Sequence, residues 1–244
     1  MKPYSVILMI AAILFILLVA THDSSIPIIK GVYVINLDGS KDRWANVQRE
    51  FSKLGSLPVT RWPAIDGRKM TRDEMRAAKI PATMFPETIK DPKLRERRRG
   101  EIGCYLSHKK LLEYLATLDC DPDDGHLILE DDVTIHPDLL ERWKAAATHL
   151  DPAWGLFYFG LSGNIRQGES RHGISPLFSG WGAYGYVVRH SSLPQLLSKA
   201  ATMTEPIDDI YQRHYEMLGA YVLTPHLILP NGDTRSTIWD GVKT

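Results

Sequence analysis

Cysteine is almost missing from this 244-residue chain, which has two, Cys104 and Cys120. They fall near the two ends of one predicted helix, about 24 Å apart if it is continuous, so no bridge between them is expected. Their spacing matches no metal-binding cysteine motif. Cys104, set among Ile102, Tyr105 and Leu106, reads as a packed core thiol rather than a reactive one. Net charge is missing too. The 29 Lys and Arg cancel the 29 Asp and Glu, which removes the overall field that would argue for nucleic acid or an acidic partner. There is no internal repeat and no low-complexity tract, so neither a repeat array nor a disordered tail dominates. The remainder, 44% hydrophobic and 24% charged, describes one globular domain or a domain plus an appendage.

The appendage is amino-terminal. Val6 to Ala20 contains no polar residue, and with its edges the stretch reaches about 27 Å as a helix, nearly enough to span a thin bilayer. Lys2 precedes it and Thr21-His22-Asp23 follows, so the positive-inside bias places the bulk of the chain across the membrane from the cytosol. A cleaved signal peptide shares this pattern, but no small-x-small site closes the apolar run, which favours an uncleaved anchor. The expected organisation is a transmembrane segment over 1–22, a linker over 23–30 and a folded domain over 31–240.

Gly31 to Leu37 predicts a buried strand, followed by a helical pattern from Lys41 to Leu54. Leu57 to Trp62 predicts the next strand, Asp66-Gly67 a turn, and Thr71 to Ala78 a helix capped by Thr71 with Glu74 three residues on. Pro81 to Gly100, punctuated by Pro81, Pro86 and Pro92 and ending Lys93-Leu-Arg-Glu-Arg-Arg-Arg-Gly100, reads as a long basic loop, either solvated or an anion site. Beyond it come a helix over Glu101 to Leu118, a strand over His126 to Leu129, a helix from His136-Pro137 to Leu150 and a strand over Gly155 to Leu161. Ser162 to Ser175 reads as a loop, Ala183 to Val188 as a strand, Ser191 to Ala200 and Ile207 to Met217 as helices, and Ala220 to Leu223 as a last strand. Such alternation predicts an α/β sheet.

In an open α/β sheet, ligands bind beyond the carboxyl ends of the strands. Glu130, Asp131 and Asp132 stand there, directly behind the apolar run Leu127-Ile-Leu129. Adjacent carboxylates repel and raise one another's pKa unless a cation joins them. Mg²⁺ or Mn²⁺ would do so, and such ions typically combine one or two carboxylates with phosphate oxygens, which points to a diphosphate-bearing substrate. The competing reading is a set of acids serving the dipole of the helix at His136-Pro137.

Five stretches then carry a resemblance. They are Val32-Tyr-Val-Ile-Asn-Leu-Asp-Gly-Ser-Lys-Asp-Arg43, Trp62-Pro-Ala-Ile-Asp-Gly67, Gly100-Glu-Ile-Gly-Cys-Tyr-Leu-Ser-His108, Leu127-Ile-Leu-Glu-Asp-Asp-Val133 and Pro206-Ile-Asp-Asp-Ile210. In this order they resemble glycosyltransferase family 25, which includes bacterial lipooligosaccharide galactosyltransferases and collagen galactosyltransferases. The resemblance implies a GT-A-type single Rossmann-like domain with a mixed, mostly parallel sheet, here preceded by the transmembrane helix. It implies metal-dependent, inverting transfer of a hexose, galactose being favoured, from a UDP-sugar to a glycan or glycoprotein. Asp132 would be the Mn²⁺ (or Mg²⁺) ligand and Glu130 would face the ribose or the surroundings of the metal. Asp131 would turn away, since alternate residues at a strand end point oppositely, and would tolerate replacement best.

The other stretches surround the same donor. Asn36 and Arg43 would read the nucleotide and offset phosphate charge, with a helix-surface cation as the equal alternative for Arg43. Asp66 either contacts the nucleoside or makes its own turn. Ser107 and His108 ride on the helix expected to begin at Glu101, whose amino terminus, preceded by Arg97 to Arg99, suits an anion. An inverting transfer needs a base for the acceptor hydroxyl. Asp208 is the candidate, as base or as a further donor ligand, with first-turn acids behind Pro206 as the rival reading for both Asp208 and Asp209. Trp181, between two glycines and expected on a loop, suits stacking on the acceptor, whereas Tyr184 and Tyr186 read as core. Two other functions fit the same acids: a metal-dependent nucleotide-sugar phosphohydrolase, and a silent glycan-binding or folding-factor relative, against which Glu130, Asp132 and Asp208 argue. UDP-sugars are absent from a periplasm. A eukaryotic source therefore implies an ER or Golgi lumenal domain, and a bacterial source an inner-membrane protein facing the cytosol.

Overall fold

The computed structural model describes residues 27–231. The anchor expected over 1–22 lies outside them, and no described helix is long and apolar enough to cross a membrane. The chain opens with β1 (Ile29–Asn36), buried throughout except at Lys30. It continues through α1 (Lys41–Gln48), a 3₁₀ turn at Phe51–Leu54, β2 (Val59–Pro63) and α2 (Arg72–Ala77). The capping box that starts α2 is formed as its sequence suggests: Thr71 Oγ1 accepts from the Glu74 backbone N–H, and Glu74 accepts from the Thr71 N–H.

The next helix corrects the sequence reading. α3 runs without interruption over Pro92–Leu115, so Arg97 to Arg99 lie inside it and do not precede its amino terminus. Asp91 is the cap, accepting from the N–H groups of Lys93 and Leu94 at 2.8 and 3.0 Å, and Pro92 takes the first helical position, where a missing N–H costs nothing. The proline read as loop punctuation is a helix start. Arg97 and Arg98 both turn to the buried Glu101, and Arg99 reaches Glu87.

β3 (Gly125–Glu130), β4 (Val133–Ile135), α4 (Leu139–Ala147), β5 (Leu156–Tyr158), β6 (Ser162–Gln167), β7 (Ile174–Trp181), β8 (Gly185–Arg189), α5 (Leu193–Lys199), α6 (Ile207–Gln212), β9 (Ala220–Leu223) and β10 (Ile228–Pro230) complete the described chain. Eight strands form one sheet in the order β2-β1-β3-β8-β5-β9-β7-β6. β2, β1 and β3 are parallel, β8 opposes β3 and β5, β5 and β9 are parallel, and β7 opposes β9 and β6. Only β8 and β7 therefore run against the common direction, and the fold is α/β on a mixed, mostly parallel sheet. β6 replaces the first six residues of the expected loop at 162–175. Five of its six residues are exposed, so it carries no apolar alternation by which a strand is read from sequence.

Alternation places Tyr33, Ile35, Ile128, Tyr186 and Val188 on one face of the sheet, against side chains of α3, α5 and α6. Val32, Val34, Leu127, Leu129 and Val187 face the other way, against Val47 of α1 and Leu139 and Trp143 of α4. β1 and β3 are thus buried on both sides, which is why they read as continuous apolar runs.

Helix α3 meets the turn after β2 backbone to backbone. A Cβ on Gly103 would stand 2.5 Å from the Ile65 carbonyl oxygen and 2.7 Å from the Gly67 nitrogen, and one on Gly67 would stand 1.9 Å from the Arg99 carbonyl. Ser107 fastens the same contact, its Oγ accepting from Ile65 N–H at 2.8 Å and donating to the Gly103 carbonyl at 2.6 Å. Gly103→Ala should force α3 away from this turn and cost roughly 1–3 kcal/mol, read as a lower urea midpoint with the slope unchanged.

Candidate active site at the carboxyl end of the third strand

Ile35 lies opposite Glu130 in the parallel β1–β3 ladder, so Asn36 and Asp131 leave the sheet side by side. Both are buried. Asn36 Nδ2 donates to Asp131 Oδ2 at 2.6 Å and to the Ser40 carbonyl at 3.2 Å, while Asn36 Oδ1 accepts from Arg61 Nε at 2.8 Å. Its amide is thus engaged by Asp131, Ser40 and Arg61, and Asn36 holds Asp131 in place. Arg43, one turn into α1, closes the arrangement with a guanidinium nitrogen 2.7 Å from Asp131 Oδ1 and in contact with Asp132 Oδ2. It is therefore not a helix-surface cation, and it also lines the smaller of two cavities beside the acids.

Asp131 needs the clearest correction. It does turn from its neighbours, but into the protein, where it bridges Asn36 and Arg43. Its 5% side-chain exposure contradicts the expectation that it tolerates replacement best. Burial pushes its carboxyl up, and Arg43 and Asn36 pull it back only in part.

Asp132 is pushed up further, to about 7, by burial first and then by Glu130, with Arg43 opposing and Asp131 adding. Two of the three adjacent carboxylates, Asp131 and Asp132, thus share one guanidinium among the described contacts. Glu130 lies beside Cys104 Sγ at 3.9 Å, and its Oε1 is 3.6 Å from His108 Nε2. His108 is fully buried, stacks on Tyr186 and is bonded through Nδ1 to the Tyr186 hydroxyl at 3.0 Å, while Nε2 has no hydrogen-bond partner. Burial, then Glu130, Asp208 and Asp132, raise the Cys104 thiol well above its usual range, in keeping with an inert thiol.

Two cavities meet at Glu130 and Cys104. The smaller, about 80 Å³, is lined by Arg43, Asp66, Arg68, Ser107, His108 and Asp131 among others. Asp66 is tied to Arg68: burial pushes its carboxyl up, but the hydrogen bonds and charge of Arg68 outweigh that and leave it lowered. It makes its own turn and also faces the cavity. Ser107, committed to Ile65 and Gly103, offers the cavity a held oxygen and not a free donor.

The larger cavity, about 570 Å³, has Glu130 and Asp132 on one wall and Asp208 and Asp209 on another. Asp208 stands in the first turn of α6, directly behind Pro206, and Oδ2 accepts from Gly182 N–H at 3.1 Å. Burial raises its pKa, the N–H groups of Gly182 and its own turn lower it, and Glu130 raises it again. Trp181 closes β7 as its last residue, not on a loop as expected, and is 48% exposed at the cavity rim. Its indole lies over Gly163 of β6, where a Cβ would stand 2.0 Å from the ring. Sequence reasoning missed Glu101 and Tyr184, which also line this cavity. A buried glutamate in mid-helix carries no signal of its own; the unread hint was the run of arginines three and four residues before it.

The donor set suits a divalent cation. Glu130 and Asp132 offer hard oxygen ligands, and the excess of carboxylate over guanidinium charge is what such an ion would remove. Cys104, His108 and Glu130 also bring ligand atoms within 4.8 Å of one another, a softer grouping at the junction of the two cavities.

Two substitutions should move stability in opposite directions. Asp131→Ala leaves buried Asn36 and Arg43 without their shared partner and should cost about 1–3 kcal/mol. Asp132→Asn should stabilise the metal-free protein. Between the ordinary value of 3.8 and about 7 the folded chain keeps a proton that the unfolded chain has lost, so stability falls with rising pH across that window. The asparagine variant lacks this fall. Its gain over wild type should grow from pH 4 to 7, level off above, and reach on the order of 1–4 kcal/mol, measured by urea denaturation in the presence of a chelator.

The family model for Glycosyltransferase family 25 (LPS biosynthesis protein) matches residues 29–169. The chain is 34% identical over 134 residues to a Glycosyltransferase 25 family member of Aedes aegypti, covering 53% of this chain and 21% of that protein. It is 30% identical over 213 residues to a Glycosyltransferase 25 family member of Drosophila pseudoobscura pseudoobscura, covering 81% and 32%. With Procollagen galactosyltransferase 2 of Homo sapiens it shares 26% identity over 244 residues, covering 86% and 38%. The chain thus spans about a fifth to two fifths of the length of these curated relatives. The matched segment runs from β1 through the acid-tipped β3 to the end of β6, and on that match the chain belongs to glycosyltransferase family 25.

Proposed function

We propose that this chain is a metal-dependent, inverting hexosyltransferase of the GT-A type, moving galactose from a UDP-sugar to a glycan or glycoprotein acceptor. The observation that carries this reading is the larger cavity, whose lining brings Glu130 and Asp132 of the β3 tip together with Asp208 of α6 and the exposed Trp181. The similarity to a procollagen galactosyltransferase of Homo sapiens supports the choice of sugar.

Asp132 and Glu130 would hold Mn²⁺ or Mg²⁺, which when bound offsets the charge of the donor diphosphate and of the leaving UDP. Arg43 keeps Asp132 aimed at the cavity by holding one of its oxygens. Asp66 and His108 border the smaller cavity beside Glu130, a place suited to the nucleoside end of the donor. The sugar would then enter the larger cavity, with the acceptor stacked on the exposed indole of Trp181. Asp208, fixed by Gly182 and buried enough for its carboxylate to be basic, would take the proton of the acceptor hydroxyl. As that oxygen bonds to the anomeric carbon from one face, the carbon–phosphate oxygen bond breaks on the other and the electron pair leaves with UDP. In a eukaryotic cell residues 1–22 would anchor the domain in the ER or Golgi with its site in the lumen; in a bacterium it would sit at the inner membrane facing the cytosol.

UDP release by the purified protein, measured with a panel of UDP-hexoses, Mn²⁺ and pooled glycan acceptors, tests this reading. Release should rise on adding acceptor and be greatest with UDP-galactose. Asp208→Asn should lose about 100-fold or more of transfer with Mn²⁺-dependent UDP binding preserved, and Asp132→Ala should lose both. UDP binding that survives Asp132→Ala would remove Asp132 from the site. Release of sugar phosphate, unchanged by any acceptor, would identify a phosphohydrolase instead.

A further inference from the structure

At the end of β3 opposite the acids, three side chains from separate parts of the chain converge. Cys120 follows α3, His126 is the second residue of β3, and His190 follows β8. The sulfur and one ring nitrogen from each histidine lie within 4.8 Å of one another. His126 Nε2 and His190 Nδ1 are 3.1 Å apart. His126 pairs with Val188 in the antiparallel β3–β8 ladder, so His190, two residues further, is its diagonal neighbour on the same face. His126 is fully buried, and its Nδ1 has no hydrogen-bond partner. A buried imidazole that the protein leaves half satisfied calls for a partner that is not a protein group.

The frame is held before any ion arrives. His190 N–H donates to the Asp124 carbonyl at 2.8 Å and Ser191 N–H to the Pro122 carbonyl at 3.0 Å. These bonds tie the segment between Cys120 and His126 to the turn that carries His190. Cys120 and His190 are each part-exposed, which gives an ion a path in and a solvent ligand.

We infer that Cys120, His126 and His190 form a second metal site, for a zinc-type divalent ion, separate from the transferase cavity. One thiolate and two imidazoles are a borderline-soft set of the kind that Zn²⁺ takes, with water completing four ligands, whereas Mg²⁺ and Mn²⁺ prefer oxygen. On binding, the Cys120 thiol releases its proton to solvent. The ion joins the segment after α3 to β3 and to the turn after β8, at the end of the sheet away from the acids. The sequence hides the site because the two histidines are far apart in the chain and no short cysteine–histidine spacing marks it.

Co²⁺ titration of the full-length protein, followed by absorption, tests this independently of any transferase activity. Wild type should show one thiolate-bound Co²⁺, with thiolate-to-cobalt charge transfer and tetrahedral d–d bands displaced by Zn²⁺, beside any spectroscopically weak Co²⁺ held by the carboxylates of the transferase cavity. Cys120→Ser should abolish the charge-transfer band, and His190→Gln should weaken Zn²⁺ binding by about tenfold or more. Cys104→Ser, which removes the sulfur near the transferase cavity, should leave the band intact. His190→Gln, the less buried change, serves if Cys120→Ser fails to fold, and should leave acceptor-dependent UDP release unchanged. A band that survives Cys120→Ser or disappears in Cys104→Ser, unaltered Zn²⁺ affinity in His190→Gln, or no band in wild type would overturn the inference.

Discussion

The contact on which the rest of the site depends is the Arg43 guanidinium held between Asp131 and Asp132. Three consecutive acids at the tip of a buried strand would repel each other and the low-dielectric interior would magnify the cost. Arg43 lowers that cost from the protein's own resources, and Asn36 and Arg61 extend the network to β1 and β2. This makes the three acids chemically different although they are adjacent in sequence. Asp131 is spent on structure, Asp132 is shared between the guanidinium and the cavity, and Glu130 faces the junction of both cavities. One arginine cannot balance three carboxylates, and the charge left over is concentrated on the two residues that face open space.

Much of this was legible in the sequence because the signals were local. The apolar runs of β1 and β3 are buried on both faces, and the Thr71–Glu74 box caps its helix. What the sequence hid depends on contacts between distant residues. Asp131 was read by strand alternation alone, which says that it points away from its neighbours but not that Asn36 and Arg43 wait on that side. Arg97 to Arg99 were read as a loop because three prolines preceded them, although Asp91-Pro92 is itself a helix-start signal. β6 and the histidine pair at the far end of β3 carry no periodicity at all. The first is an exposed strand and the second is joined only through the ladder.

The glycines of the matched motifs serve the same site by a different means. Gly67 and Gly103 let α3 lie against the turn after β2 with no side chain between, and Ser107 locks that approach. His108, the next residue on α3, is thereby set with Nε2 facing Glu130 and Nδ1 held by Tyr186. The stretches around Asp66, Gly103 and Asp131 are therefore one device. The turn, the helix and the strand tip can each take their place only if the other two are close, and the smaller cavity is the space they leave.

This close packing also explains why the larger cavity can be wide. Its far wall comes from α6 and from the β6–β7 hairpin, which are joined to each other by Gly182 N–H to the Asp208 carboxylate and Gly180 N–H to the Gln212 side chain, while the Trp181 indole lies over Gly163 within the hairpin. These attachments leave an exposed rim, whereas the side that carries the strand-tip acids is buried and fixed by charge. On the proposed reading, that asymmetry suits a site that holds one charged donor and admits hydroxyl-bearing acceptors: order where charge develops, open surface where the second substrate enters. The strand tip supplies the first because Arg43 pins it to α1, and the hairpin supplies the second because β6 is exposed and contributes little to the core.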